Sequence, residues 1–398
     1  MTVFLTIFVA FCLLYFLIPQ KYVGWLFFAT TLALAIMAFN CVPKETDDLS
    51  NYFWQLDTLR KGGWDTFQTM LKDDNNHWGA LPVCGYYFYI VSLLGNNGFL
   101  PAITIFVAYG AMFLVVYKAS VRFKVNKWYL FLSCVFLLIT YWFYDICSGI
   151  RNGLAFTIFI TCIYFDIVEK SHRPACYIGY ALCTGLHSSV IMLIILRLAL
   201  AITKKYESKW VSWIMLLSIT VGGNILQWIG TVSNNKYLSL LSEKADNNIG
   251  RAMDFGKTYI WVNTAVLLVV ILVSLYLFKY IRESKNYKDI SAFGKFHTLL
   301  LFFTVGSFTS QLIYIRIIRW IIPIMGALFF MIGMQACRDN QNKIKAVQNI
   351  KSVIKNQDGV LAINELIITL LFIGFTGVHL WYTCTGSSLI WLYFKPVG

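Results

Sequence analysis

FLPAITIFVAYGAMFLVVY, residues 99–117, decides what kind of protein this is. The run holds no Asp, Glu, Lys or Arg. As a helix at 1.5 Å per residue it reaches about 28 Å, close to the ~30 Å of bilayer hydrocarbon. Without water, only a helix satisfies the backbone of an isolated segment this long. Similar runs occur near 2–19, 22–42, 128–146, 150–168, 210–229, 257–280, 298–316, 319–336 and 361–381. The stretch 175–203 is too long for one span and short for two. It is read as two short helices meeting at the polar bend His187-Ser188-Ser189. About twelve crossings are expected. Residues 82–95 are apolar but too short to cross, and suit an interfacial or re-entrant helix.

Composition agrees. Of 398 residues 58% are apolar and 13% charged, about half the ~25% of soluble domains. Mean hydropathy is +0.65. These values exclude a disordered chain and argue against a soluble enzyme. The runs are unbroken rather than alternating, which excludes barrel strands. The expected fold is all-α: one polytopic membrane helical bundle over 1–398, with an outward-facing cavity.

Lys and Arg outnumber Asp and Glu 33 to 19, a net +14. In a soluble protein such an excess would raise nucleic acid as a partner. Here the distribution explains it, and no nucleic-acid partner is expected. The connections 20–21, 118–127, 169–174, 204–209, 279–297 and 337–358 hold most of the basic residues. They are expected to face the cytoplasm, with both termini outside. Residues 338–358 would be a basic cytoplasmic helix or loop. The outer side then has two large segments, 43–97 and 230–256. Within the first, 43–81 reads as a long loop with Asp47, Asp48, Trp54, Trp64 and Trp78. Its tryptophans suit either sugar stacking or an interfacial aromatic belt. The cysteines form no CxxC pair or His/Cys cluster, so no metal site or cofactor is expected. Residues 1–19 lack the basic start and small-residue cleavage site of a signal peptide.

Several ionisable groups fall where the bilayer disfavours them. Arg151 stands at the outer start of a helix, in Ser148-Gly149-Ile150-Arg151-Asn152-Gly153. There it either pairs with Asp145 or holds an anion beside a helix N-terminus. Arg316 and Arg319, three apart, share a helix face between apolar runs. Burying such cations costs at least ~2.5 kcal/mol, so an anion site or snorkelling must account for them. His187 is either a structural histidine or the group that handles an acceptor proton. Asp48 is the alternative base.

These residues resemble the EpsG-like, Wzy-type polysaccharide polymerases. Arg151-Asn152-Gly153-Leu154-Ala155, then Leu186-His187-Ser188-Ser189, match the family's Arg-Gln/Asn-Gly-Leu-Ala and Phe/Leu-His-x-Ser motifs in spacing. Asp48 and Tyr52 match an Asp and Tyr four apart, and Arg316, Trp320 and Pro323 are similar to an arginine opening an aromatic helix that runs into Pro. The likeness covers roughly 45–380. It departs at Leu81-Pro82, where members often carry Glu-Pro. The resemblance implies a metal-independent glycosyltransferase of the bacterial cytoplasmic membrane that joins oligosaccharide units carried on undecaprenyl diphosphate. Arg151, Arg316 and Arg319 would then bind the diphosphate. His187 and Asp48 would act in catalysis, and Tyr52, Trp54, Tyr86 and Asn152 would meet sugar. A flippase and a chain-length regulator would be its protein partners. The rivals are a ligase-like or lipid-monophosphate-sugar transferase and, without enzymatic activity, a flippase or anion transporter.

Overall fold

The computed structural model describes residues 2–43, 47–73, 78–79, 81–206, 210–217, 257–283, 290–348 and 355–385. Its main helices are α1 (Thr2–Leu17), α2 (Val23–Phe39), α3 (Asp48–Lys72), α4 (Pro82–Ser92), α5 (Phe99–Arg122), α6 (Lys127–Thr140), α7 (Phe143–Ser148) and α8 (Ile150–Ile163). They continue as α9 (Arg173–Leu186), α10 (Val190–Tyr206), α11 (Lys257–Glu283), α12 (Ile290–Gly306), α13 (Gln311–Trp320), α14 (Ile322–Gln348) and α15 (Lys355–Thr385). The described residues contain no strand.

A helix that is apolar all round must be covered all round. α14 is that helix: every residue over 321–337 is buried. α6, α11 and α13 pack on it, and Phe372 of α15 lies flat against its Phe330, ring centres 3.9 Å apart. The peripheral helices show the reverse pattern. Ile191, Ile195, Leu198 and Ile202 make an exposed stripe on α10, and Leu268, Leu272 and Leu275 do so on α11. Apolar stripes facing outward suit acyl chains, not water.

Among the described residues four helical segments are long and apolar enough to cross a membrane: Gln20–Phe39, Phe99–Arg122, Ile150–Glu169 and Ile260–Ile281. A fifth is broken, Gln311–Trp320 with Ile322–Asn340, bent by 43°. The twelve expected crossings thus exceed the full-length spans found. Shorter apolar helices account for part of the difference. α6 is 14 residues, about 21 Å.

Two expected spans are interrupted. The run 128–146 breaks after Thr140 and restarts at Phe143. Tyr109 donates its hydroxyl to the Tyr141 carbonyl at 2.7 Å, so the freed backbone acceptor is satisfied. The run 298–316 breaks at 307–310, where Ser307 Oγ donates to the Thr304 carbonyl at 2.7 Å. Such local side-chain bonds compete with the helical ladder. The 175–203 pair bends at His187 as expected, and 82–92 forms the short helix. The 43–81 segment is no loop. It contains the 25-residue α3, whose Leu49, Tyr52, Leu56 and Leu59 make one buried face. Gly63 kinks it, with φ +60°. Trp78, expected to be exposed, is 3% exposed. Residues 218–256, including the expected outer loop 230–256, lie outside the described residues. Of 338–358, residues up to 348 extend α14 and 349–354 also lie outside them.

Among the described residues, the basic connections 20–21, 118–127 and 169–174 gather at one end of the bundle. Lys127 Nζ donates to the Ile18 carbonyl at 2.7 Å, Gln335 Oε1 accepts from Asn126 N–H at 2.8 Å, and Arg122 pairs with Glu169. Asp166 of the π-helical turn after α8 is held near that end by Arg197 Nη2 at 2.7 Å and Arg173 Nε at 3.7 Å. The opposite end carries α3, α4, α7 and the start of α8.

Candidate functional site

Two glycines let the site close. Trp320, the last residue of α13, lies against the α7–α8 junction. A Cβ on Gly149 would sit 2.8 Å from the Trp320 ring and 2.7 Å from the Asp145 carbonyl, and one on Gly153 would meet Ile146 at 2.9 Å. At Gly149 only a bare backbone admits the indole, and at Gly153 only a bare backbone clears Ile146. This packing sets α13, with its two arginines, beside the first turn of α8, with Arg151.

α3 is fastened to the same junction. The Asp47 carboxylate accepts from both Tyr144 and Ser148 of α7. Asp48 opens α3, where an anion is favourable against the helix dipole. Arg151 Nε donates to the Tyr52 hydroxyl at 3.2 Å, and its guanidinium stands 5.8 Å from the ring centre. Asp48 lies in the field of Arg151 and Arg316, which also feel each other. Asp48 itself keeps exposed surface. Lost hydration still raises its carboxyl from the ordinary value; Arg151 and Arg316 oppose that rise and Asp47 adds to it. Burial likewise pushes the Tyr52 hydroxyl up to about 12, so it stays neutral.

Arg316 Nη1 donates to Ser189 Oγ at 3.3 Å. The Ser189 backbone N–H in turn donates to His187 Nδ1 at 3.1 Å. His187 is 6% exposed, and its ring packs 5.8 Å from that of Phe156. Because Nδ1 accepts, a neutral imidazole here carries its proton on Nε2. In that tautomer His187 is a hydrogen-bond donor on its other side and not a ready base.

Arg319 has a different partner from its neighbour. Its Nε donates to Asp145 Oδ2 at 2.6 Å, and Nη2 contacts Oδ1 of the same carboxylate. The expected alternative for Arg151, a pair with Asp145, is therefore replaced by Arg319–Asp145. Nor does Arg316 open a helix before the proline. It sits inside α13, and the chain bends between Trp320 and Pro323.

The structure thus brings together Asp48, Tyr52, Arg151, Arg316 and, through Ser189, His187. Asn152 follows Arg151 directly. Trp54 and Tyr86 stand apart. Trp54 is about 200° round α3 from Tyr52 and is 64% exposed. Tyr86 packs edge-on to Phe67 at 5.1 Å, far along α3 from Tyr52. Sequence reading gave no part to Tyr144 or Ser148, neutral groups that signal nothing alone, and marked Ser189 only as a member of the polar bend and the His-x-Ser motif. Among the described residues no group of three or more His, Cys, Asp or Glu is placed to hold a metal ion.

Residues 24–350 match the EpsG family model. The chain belongs to the EpsG family. The match spans the bundle from α2 to the end of α14 and includes every residue of the cluster. EpsG proteins are the Wzy-type polysaccharide-polymerase-like family, and membership points to a polymerase-like function in a membrane. No curated protein and no solved structure matches this EpsG-family chain.

Proposed function

We propose that this protein is a polysaccharide polymerase that joins oligosaccharide repeat units carried on undecaprenyl diphosphate, at the outer face of the bacterial cytoplasmic membrane. One observation carries the proposal: guanidiniums from two separate helices, Arg151 on Tyr52 and Arg316 on Ser189, stand within electrostatic reach of each other and of Asp48 at the bundle end opposite the basic connections. Positive charge is normally kept on the cytoplasmic side. Two cations at the other end have a purpose if they meet an anion there.

The donor's diphosphate binds Arg151 and Arg316, which neutralise the charge that grows as it leaves. The acceptor hydroxyl oxygen forms a bond to the donor's anomeric carbon. The bond from that carbon to the diphosphate oxygen breaks, and its electron pair leaves with the lipid diphosphate. The acceptor proton passes to Asp48, whose raised pKa makes it a stronger base than a solvated carboxylate. His187 donates from Nε2 and orients a sugar. The arginines take the charge-neutralising part, so transfer is metal-independent. Arg319 braces Asp145 and does not reach for the lipid head. The polyprenyl chain stays in the bilayer against the exposed apolar stripes.

A transporter would need a polar route through the other half as well. There Asp166 is 2% exposed and closed off by Arg197, which favours a site open from one end. The test is polymerisation of purified lipid-linked repeat units by the purified protein. A ladder of products is expected, and Arg151→Ala should abolish it without loss of folding. A single addition product would assign a transferase. Movement of the lipid across proteoliposomes with no change in its glycan would assign a flippase.

A further inference from the structure

Buried hydrogen-bonding atoms are almost always paired, so the exceptions need a cause. Three side-chain atoms among the described residues are buried without a partner: Gln55 Oε1, Asn152 Oδ1 and His297 Nδ1. Two of the three belong to residues next to the Arg151–Tyr52 pair along their helices. Gln55 is one turn beyond Tyr52 on α3, so Asp48, Tyr52 and Gln55 follow one another along one face at i, i+4 and i+7. Asn152 is the next residue after Arg151 on α8.

Both orphans are carbonyl oxygens, which accept hydrogen bonds and cannot donate. An ionised diphosphate also only accepts, so the group that satisfies Arg151 cannot satisfy them. A ligand that brings hydroxyl or N–H donors beside the diphosphate would pair them. Lipid chains have none. A sugar attached to the diphosphate has several. Gln55 and Asn152 each keep some exposed surface. Rotation of the amide about its last torsion, which is soft for such groups, turns the oxygen toward a bound sugar.

We propose that Gln55 and Asn152 read the first sugar of the lipid-linked donor, accepting hydrogen bonds from its hydroxyl or acetamido N–H groups, a specificity that rests on the diphosphate site above. Arg151 and Arg316 then supply grip on any polyprenyl diphosphate, and the two amides distinguish what it carries. A site built to hydrogen-bond a substrate group rejects ligands lacking that group, because its buried acceptors stay unpaired.

The test measures binding of two probes to the full-length protein in detergent: bare undecaprenyl diphosphate, and the same lipid carrying one N-acetylglucosamine. Wild type should bind the sugar-bearing lipid more tightly. Gln55→Met and Asn152→Leu should each weaken that binding by about three- to tenfold, the scale of one neutral hydrogen bond, and leave the bare lipid unchanged. Arg151→Ala should weaken both probes alike. If either amide variant weakens both equally, its role is structural and the proposal fails for that residue. If neither variant changes the sugar-bearing probe, the proposal fails outright while the diphosphate site stands. If wild type binds neither probe, the diphosphate site itself is wrong and the sugar-reading role falls with it.

Discussion

Replacing Asp145 or Arg319 tests whether the second arginine of α13 is a brace or a lipid-binding group. Their side chains are 11% and 21% exposed, with two contacts between guanidinium and carboxylate. Asp145→Asn leaves the Arg319 charge without its anion, and Arg319→Gln leaves Asp145 without its cation. Removing one partner of a buried pair costs roughly 3–5 kcal/mol. The one-fifth exposure of Arg319 argues for the lower end, about 3 kcal/mol. That is about a hundredfold fall in the folded-to-unfolded ratio. The double variant strands no charge, and should cost about 1 kcal/mol, so a coupling of several kcal/mol is expected from the cycle. Reversible unfolding in mixed micelles measures all four proteins. A single-variant cost under about 1 kcal/mol, the scale of an exposed pair, would refute the brace, as would additive losses in the double variant. Activity separates the roles further. A brace predicts that the double variant polymerises within about threefold of wild type. A well-folded but inactive double variant would place Arg319 on the diphosphate.

Asp48→Asn should fold normally and lower kcat by about 10²–10⁴, the usual contribution of a positioned base; a smaller loss in single-turnover kinetics would move the base elsewhere. The pH dependence has a definite sign. Asp48 must be deprotonated to accept a proton, and its pKa is raised by lost hydration, so kcat/KM should fall as pH drops, with the fall displaced upward from where a solvated aspartate would put it. Arg316→Ala removes a cation that lowers that pKa, so the acid limb of its residual activity should move to higher pH; no shift would dissociate the limb from Asp48. Since His187 presents Nε2–H, His187→Gln, which keeps a donor, should retain more activity than His187→Ala, and equal losses would overturn the donor role. Gly149→Ala forces a methyl against the Trp320 ring and the Asp145 carbonyl; a loss of about 1–3 kcal/mol is expected for such overpacking, read in the same micelle assay.

The helices with uniform apolar runs, α2, α5, α8 and α11, were legible because bilayer thickness imposes a length that composition alone reveals. The bend at His187 was legible too, because a polar triplet interrupts an apolar stretch. The break at Tyr141 was not. No Gly or Pro marks it, and it persists because Tyr109 from another helix supplies the missing hydrogen bond. α3 was read as a loop because charges and Trp outweighed its buried stripe, Leu49, Tyr52, Leu56 and Leu59. Arg151 and Arg316 stood out as cations at the wrong end of apolar runs, but the sequence could not say which acid meets which arginine. The sequence offered Asp145 only to Arg151, six residues away, and gave no sign of its pairing with Arg319.

Local chemistry alone therefore dictated a helical membrane protein and marked its costly charges, because the penalty for a charge or an unpaired backbone group in hydrocarbon falls on the segment that carries it. Partnership is different. Whether Arg319 grips Asp145, whether Ser189 links Arg316 to His187, and which carbonyl oxygens are left unpaired depend on helices distant in the chain meeting within about 3 Å. Packing around Trp320 and its two glycines sets those meetings, and no single segment encodes them.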